Sequence, residues 1–125
     1  MSNSAVRTYR DLLVWQKAID LVTEVYALTR RLPKSEIFGL SDQMRRAAVS
    51  VPSNVAEGQA RQHTREFRQF LHIALGSLAE LDTQLVIAHR LKYLTSQDVA
   101  KLTESVTELR RMTAGLLSKL PATDR

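Results

Sequence analysis

Five arginines are the residues best suited to contact phosphate groups, and they form two clusters along the chain. Three of them follow one another at steps of four and three, which places them on one face of a helix and the turn before it. The other two are adjacent, near the start of an earlier helix. Because guanidinium groups placed in this way contact phosphates rather than base edges, we expect sequence-tolerant binding that salt weakens steeply. The candidates are Arg45, Arg46, Arg61, Arg65 and Arg68.

A solvated rim of charges is the alternative interpretation of the same arginines. Glu57 and Glu66 are close enough in sequence to neutralise part of the second cluster. If the two helices are antiparallel, the clusters lie far apart, and one subunit carries two separate basic spots. Only an assembly of subunits would merge those spots into one surface that follows a phosphate backbone.

Composition limits the classes of protein to consider. The 125 residues include 18 Lys and Arg against 13 Asp and Glu, a formal net charge of +5. This balance favours polyanions as partners. The absence of cysteine excludes disulfides and thiolate metal sites and fits a reducing cytosol. Since there is neither a signal peptide nor a run of 18 apolar residues, we expect a cytoplasmic protein with no membrane partner.

The residues that could support catalysis do not form a recognised pattern. Di-metal bundles need Glu-x-x-His pairs, and none of the three histidines has a glutamate three residues before it. No phosphate-cradling glycine loop occurs. Arg65-x6-His72 loosely resembles the Arg and His pair of HEPN ribonucleases, but Glu66 follows the arginine and a boundary histidine is the simpler interpretation. We therefore expect no enzymatic activity, no metal and no cofactor, with a HEPN-type ribonuclease as the remote alternative.

Apolar residues recur at steps of three and four in four segments, which predicts four amphipathic helices. The predicted starts are the Thr8-x-x-Asp11 capping box, Leu40 or Ser41, Thr64 as a cap, and the Thr95-x-x-Asp98 capping box. Short loops between the helices predict an all-α, antiparallel up-down-up-down four-helix bundle. We expect a single domain over residues 1–125, with flexible ends at 1–8 and 121–125.

Pro52 falls inside the second segment and could end a helix or bend it. Helical phase continues across it from Met44 to Val55, so we predict one continuous helix kinked at Pro52. Ser50 or Asn54 would then satisfy the backbone groups that the proline leaves unbonded. The rival interpretation ends one helix at Val51 and caps another with Asn54 and Glu57.

The first helix has two apolar seams where a bundle needs only one. They are Leu12, Trp15, Ile19, Val22 and Tyr26, and beside them Ala18, Leu21, Val25, Leu28 and Leu32. The third helix adds Phe70, Ile73 and Ile87 outside its main seam. Because an exposed patch of this size would aggregate a monomer, we expect self-association through these two helices, with Gly76 and Ser77 permitting close approach. A broad core is the alternative.

Three stretches together resemble the four helix bundle protein family, whose members include proteins encoded in intervening sequences of large-subunit ribosomal RNA genes. They are DLLVWQKA (11–18), MRRAAVSVPSNVAEG (44–58) and EFRQFLHIALGSLAELDTQL (66–85). The chain is also similar to the accessory variability proteins of diversity-generating retroelements. The matching motif positions include Arg45, Arg46, Pro52, Asn54, Glu57, Gly58, Glu66, Phe67, Gly76, Ser77, Glu80 and Leu81. The chain departs from the pattern at Gln59-Ala60, where relatives often have an aromatic residue.

The resemblance implies a ring-like homopentamer, which in the retroelement relatives binds a reverse transcriptase and nucleic acid through basic surface. It implies no catalytic residues. Taken with the arginine pattern, the sequence predicts a non-enzymatic oligomeric bundle that binds RNA, DNA or a nucleoprotein. The alternative is a protein-interaction scaffold, for example for a reverse transcriptase, without direct nucleic-acid binding.

Overall fold

The computed structural model describes residues 7–121, and these contain four α-helices. The helices are α1 (Leu13–Thr29), α2 (Leu40–Ala60), α3 (Thr64–Arg90) and α4 (Ser96–Lys119), with short 3-10 turns at Tyr9–Asp11 and Lys34–Glu36. No β-strand occurs within residues 7–121, so the prediction of an all-α protein with four helices is confirmed. The predicted flexible ends fall mostly on residues 1–6 and 122–125, which lie outside the described residues.

Two predicted helix starts differ from the structure. Thr8 and Asp11 do form a reciprocal capping box, but it caps the 3-10 turn, and α1 begins only at Leu13. Thr64 is the first residue of α3 rather than its cap. His63 occupies the cap position and makes no side-chain hydrogen bond there. The first difference arises because a threonine and an aspartate at this spacing can cap a 3-10 turn as well as an α-helix.

The starts of α2 and α4 agree with the predictions. The amide of Asp98 donates to Thr95 Oγ1 at 3.1 Å, and the amide of Thr95 donates to Asp98 Oδ2 at 3.2 Å. This box satisfies two of the amides that an α-helix leaves unbonded at its N-terminus. Helix α2 begins at Leu40, whose amide donates instead to Glu36 Oε1 at 3.0 Å.

One seam from each helix forms the hydrophobic core. The core seam of α1 is the one that begins at Ala18, and its five members are buried. The other seam of α1 stays at the rim, where Ile19 and Tyr26 are each 38% exposed. The buried positions of the remaining helices include Met44, Ala47, Val51, Val55, Leu71, Ala74, Leu78, Leu81, Leu85, Ala88, Leu102, Val106, Leu109 and Leu117.

Helix α2 runs without interruption across Pro52, which is itself buried. The structure therefore contains one helix here and not the two helices of the rival interpretation. The Asn54 amide group donates to the Ser50 carbonyl at 2.7 Å and to Ser50 Oγ at 2.8 Å. It does not reach the carbonyl of Ala48, which is the group that a proline at position 52 leaves without its helical donor.

The helices pack in cyclic order, because α1 contacts α2 and α4, and α3 contacts the same two helices. At one end of the molecule, Arg45 Nε donates to Thr29 Oγ1 at 2.8 Å and Arg31 Nη1 pairs with Asp98 Oδ1 at 2.9 Å. By length and composition alone α3 is apolar enough to cross a membrane, but the core helix of a bundle meets the same criterion. The expectation of no membrane partner stays a prediction.

Candidate nucleic-acid interface

Arg68 joins the start of α3 to the end of α4. Its Nη1 donates to the carbonyl of Leu117 at 3.0 Å and lies 3.5 Å from the carbonyl of Leu120. The last carbonyls of a helix have no partner within the helix, and their partial negative charge favours a cation. Arg68 is therefore a C-terminal cap for α4, and only part of its guanidinium is open to a ligand.

Arg61, at the end of α2, holds several intramolecular partners. Its Nη2 lies 3.2 Å from Glu57 and its Nη1 lies 4.0 Å from Glu66. The same guanidinium stands 5.3 Å above the ring of Phe70. The neutralisation expected from Glu57 and Glu66 is thus present in the structure. Arg65 differs, because it is exposed and forms no ion pair within residues 7–121.

Arg45 and Arg46 point to different surroundings although they are adjacent. Arg45, bonded to Thr29, also stacks with its guanidinium 4.6 Å from the ring centre of Tyr26. Arg46 forms an i, i+4 ion pair with Asp42 at 2.8 Å, and this hydrogen bond raises the pKa of Arg46. Within residues 7–121 no hydrogen bond or ion pair joins these two arginines to the cluster at positions 61–68, so the structure keeps the two predicted clusters apart.

Two further arginines on α4 extend the cluster at the start of α3. His89 Nε2 and Ser96 Oγ are 3.1 Å apart at one end of the α3–α4 pair, and Arg68 meets Leu117 at the other. Counting along α4 from Leu117 places Arg110 about 10 Å along the helix axis from the level of Arg68. Because seven residues are close to two full turns, Arg110 lies on the same stripe of α4 as Leu117, which Arg68 contacts. Arg110 and the adjacent Arg111 are both exposed.

We define the α3–α4 face as Arg65, Arg68, Arg110 and Arg111. Two nearby carboxylates have other partners, since Glu66 lies near Arg61 and Glu108 pairs with Lys17 at 3.8 Å. The sequence candidates omitted the two arginines of α4. Their signal was present, because residues 110–125 carry four basic residues against one acidic residue. What was missing was the register that brings α4 beside α3.

The arginine and histidine of the HEPN-type alternative lie on one helix. Arg65 and His72 are both exposed on α3, two turns apart, which separates them by about 10 Å along the axis. In residues 7–121 no three metal-binding side chains of the His, Cys, Asp and Glu types come together. The remaining predicted motif residues have structural surroundings: Ser77 Oγ lies 2.7 Å from Ser50 Oγ, and Glu80 accepts from Gln84 at 3.3 Å.

These features define an all-α, four-helix protein with a basic face. Residues 10–115 match the model of the 23S rRNA-intervening sequence protein family, and the chain belongs to that family. The fold is also that of a protein of unknown function from the S23 ribosomal protein family of Bacteroides thetaiotaomicron. The two are 22% identical, with a TM-score of 0.80 over 86% of this chain and 100% of the other. No curated protein matches the chain.

Proposed function

We propose that the chain is a non-enzymatic, cytoplasmic, self-associating bundle that binds nucleic acid through its α3–α4 face without reading sequence. The observation that carries this proposal is the grouping of four arginines from two helices, to which no carboxylate of residues 7–121 is paired. The family's name associates its members with an intervening sequence in 23S rRNA, which makes RNA the first ligand to test.

The expected contacts are phosphate contacts. Arg65, Arg110 and Arg111 have guanidinium groups that no other described side chain engages, while Arg68 can offer only the donors that α4 does not use. Such contacts release counterions and carry no sequence information. Arg45, Arg46 and Arg61 hold protein partners within the subunit, so in this proposal they add to binding only where an assembly places them beside the ligand.

Self-association is the second part of the proposal, and a homopentamer is the form that the family resemblance implies. It is supported by large apolar side chains that the subunit leaves at its surface, among them Ile73 at 50% and Ile87 at 43% exposure. We further propose that the four helices alternate in direction and that α2 bends at Pro52. The helix-end contacts support the first proposal. The second is supported by Pro52, which has no N–H to donate to the carbonyl of Ala48.

A protein-interaction scaffold is the second candidate function. It is favoured by a specific observation, namely that four of the five sequence-predicted arginines already have intramolecular partners. In that case charge would serve solubility, and a protein such as a reverse transcriptase would dock on the assembly. It predicts a protein partner that stays bound in the presence of nuclease and high salt.

Filter binding with a single-stranded RNA and a duplex DNA, each measured from low to physiological salt, tests the proposal. The variant Arg65→Gln/Arg110→Gln/Arg111→Gln should lose at least about 10-fold in RNA affinity at low salt, and its salt slope should fall by about two. The matched control Arg30→Gln/Lys92→Gln/Lys101→Gln also removes three positive charges, but from other exposed positions. It should keep most of the affinity for RNA.

Three results would contradict the proposal. Undetectable binding by the unmodified protein at low salt would end it. Equal losses in both triple variants would assign binding to net charge and not to the α3–α4 face. Cleavage of the RNA, abolished by His72→Ala, would identify an enzyme and support the HEPN-type alternative.

A further inference from the structure

Two apolar surfaces border α2 on its two sides. We define the α1–α2 face as Trp15, Ile19, Val22, Tyr26 and Val49. We define the α2–α3 face as Phe70, Ile73 and Glu80, with Gly76 and Ile87 at its outer edge. Both hold large side chains that no helix of the subunit covers, for example Val49 at 40% and Ile73 at 50% exposure. The other two sides of the bundle differ, since arginines mark the α3–α4 side and ion pairs such as Lys17–Glu108 bridge α1 and α4.

The two faces have matching heights along the bundle. The Arg45–Thr29 hydrogen bond sets the level of α1 against α2, and the Ser50–Ser77 hydrogen bond sets the level of α3 against α2. Gly58 packs on Phe67 and Phe70, so the numbering of α3 falls as that of α2 rises. Counting from these contacts at about 1.5 Å per residue places Ile73 level with Ile19 to within one residue.

The same count brings opposite charges to one level. Glu80 lies within two residues of the level of Arg45, a difference of about 3 Å along the axis. Arg45 is held at the edge of the α1–α2 face by its contact with Tyr26, and Glu80 is exposed on the α2–α3 face. The two faces are therefore complementary in charge as well as in apolar character.

Gly76 supplies the space that such a contact needs. A Cβ atom built at Gly76 meets no atom of residues 7–121 within 4 Å. By the same count along the helices, Gly76 is level with Val22 and Thr23 of α1. A helix of another subunit that presents Val22 and Tyr26 would meet the least bulky position of α3 at this height. Small residues at a helix surface allow this kind of close approach, and the flanking Ile73 and Glu80 would provide the apolar and charged contacts.

We propose that the α1–α2 face of one copy of this chain packs against the α2–α3 face of the next copy, with Arg45 of one copy paired to Glu80 of the other. This proposal rests on the self-association proposed above and identifies the two surfaces that meet. The contact is heterologous, because two different faces meet, and such contacts form closed rings when the rotation between copies closes. Adjacent sides of a four-helix bundle are roughly a quarter turn apart, which suits a small ring. In it α2 faces the interior and the α3–α4 face lies outside.

Charge reversal tests the interface, with light scattering after size-exclusion chromatography as the readout. Arg45→Glu and Glu80→Arg should each weaken assembly by about 10-fold or more, because each places like charges together. The double variant Arg45→Glu/Glu80→Arg restores opposite charges at every interface and should recover assembly. The controls Glu104→Arg and Lys101→Glu reverse exposed charges elsewhere and should leave assembly unchanged.

Thermal unfolding of each variant shows whether a loss of assembly is caused by a loss of folding. This control matters most for Arg45→Glu, because Arg45 donates a hydrogen bond to Thr29. Glu80 is exposed, so Glu80→Arg provides a reversal that leaves the core intact. An unmodified protein that is monomeric at every accessible concentration would refute the self-association itself. Single variants that assemble normally would refute the assignment of faces, and a folded double variant that fails to recover would refute the Arg45–Glu80 pair.

Discussion

Gly58 and Gly76 are both glycines within helices, yet their surroundings are opposite. A Cβ at Gly58 would stand 2.7 Å from the Cβ of Phe70 and 3.1 Å from Cδ1 of Phe67, whereas a Cβ at Gly76 would meet nothing within 4 Å. Glycine within a helix is about 0.5–1 kcal/mol less stable than alanine. At Gly58 the close packing of α2 on α3 leaves no room for a larger residue. At Gly76 no contact within residues 7–121 requires a glycine.

Gly115 in α4 is a third glycine within a helix, and a Cβ atom built there also meets no described atom within 4 Å. An open glycine by itself therefore does not identify an interface. Three residues before Gly115 lies Met112, which packs against the core, and four residues after it lies Lys119. At the same spacings Gly76 has Glu80 and Ile73, and Ile73 is 50% exposed. An exposed apolar side chain beside a small residue therefore indicates a partner, and open space alone does not. Gly115 accordingly serves as the matched control.

The largest effect should come from Gly58→Ala. The added methyl group cannot fit between α2 and α3 without moving them, and overpacking of this kind costs about 1–3 kcal/mol. For a domain of this size we expect the melting temperature to fall by about 3–5 °C for each kcal/mol. Gly115→Ala, measured beside it by thermal unfolding, should not lower the melting temperature. An unchanged or raised value for Gly58→Ala would mean that α2 and α3 do not approach so closely.

A smaller effect of opposite sign should come from Gly76→Ala. At a dilution where subunits are separate, Gly76→Ala and Gly115→Ala should each stabilise the subunit by up to about 1 kcal/mol, because both positions are helical and open. At higher concentration only Gly76→Ala should weaken assembly, by light scattering. Identical behaviour of the two variants in both measurements would remove Gly76 from the interface.

The smallest effect is the loss of folding stability at acid pH. This loss should be equal in Gly58→Ala and Gly76→Ala. Asp98 is bonded to Thr95, the larger cause, and to Arg31, and these bonds lower the pKa of Asp98. A carboxylate whose pKa is depressed in the folded state adds stability above its unfolded pKa, near 4, and loses it as pH falls through the folded value. Asp98→Asn should therefore flatten the fall in stability between about pH 5 and pH 2.

Urea titrations at several pH values would measure this dependence. Gly58→Ala and Gly76→Ala should give curves parallel to that of the unmodified protein, because neither glycine contacts the start of α4. If Asp98→Asn shows the same pH dependence as the unmodified protein, the capping box and the Arg31 pair do not contribute to acid sensitivity.

The four helices could be predicted from the sequence because apolar periodicity alone determines them. We predict a seam in α3 of Phe67, Leu71, Ala74, Leu78, Leu81, Leu85 and Ala88, and all of these residues except the partly buried Phe67 are buried. Which of the two seams in α1 enters the core could not be predicted, since both are apolar and have the same period. That choice depends on the helices to either side, which only the tertiary packing determines.

The candidate site was predictable only as far as its contacts are local. Pairs four residues apart, such as Arg46 with Asp42 and Arg61 with Glu57, follow from helical spacing. The partners of Arg45 and Arg68 are 16 and 49 residues away in sequence, so no spacing rule could find them. For the same reason Arg110 and Arg111 became candidates only when the register of α4 against α3 was known.

The capping contact of Arg68 has a thermodynamic consequence. One guanidinium nitrogen holds the carbonyl of Leu117, and its other nitrogen atoms are available to a phosphate. Two ligands that share one side chain are energetically coupled, and this coupling is reciprocal. Occupation of the α3–α4 face by a polyanion would thus change how often the last turn of α4 opens, and backbone amides near Leu117 would report binding through their rate of hydrogen exchange.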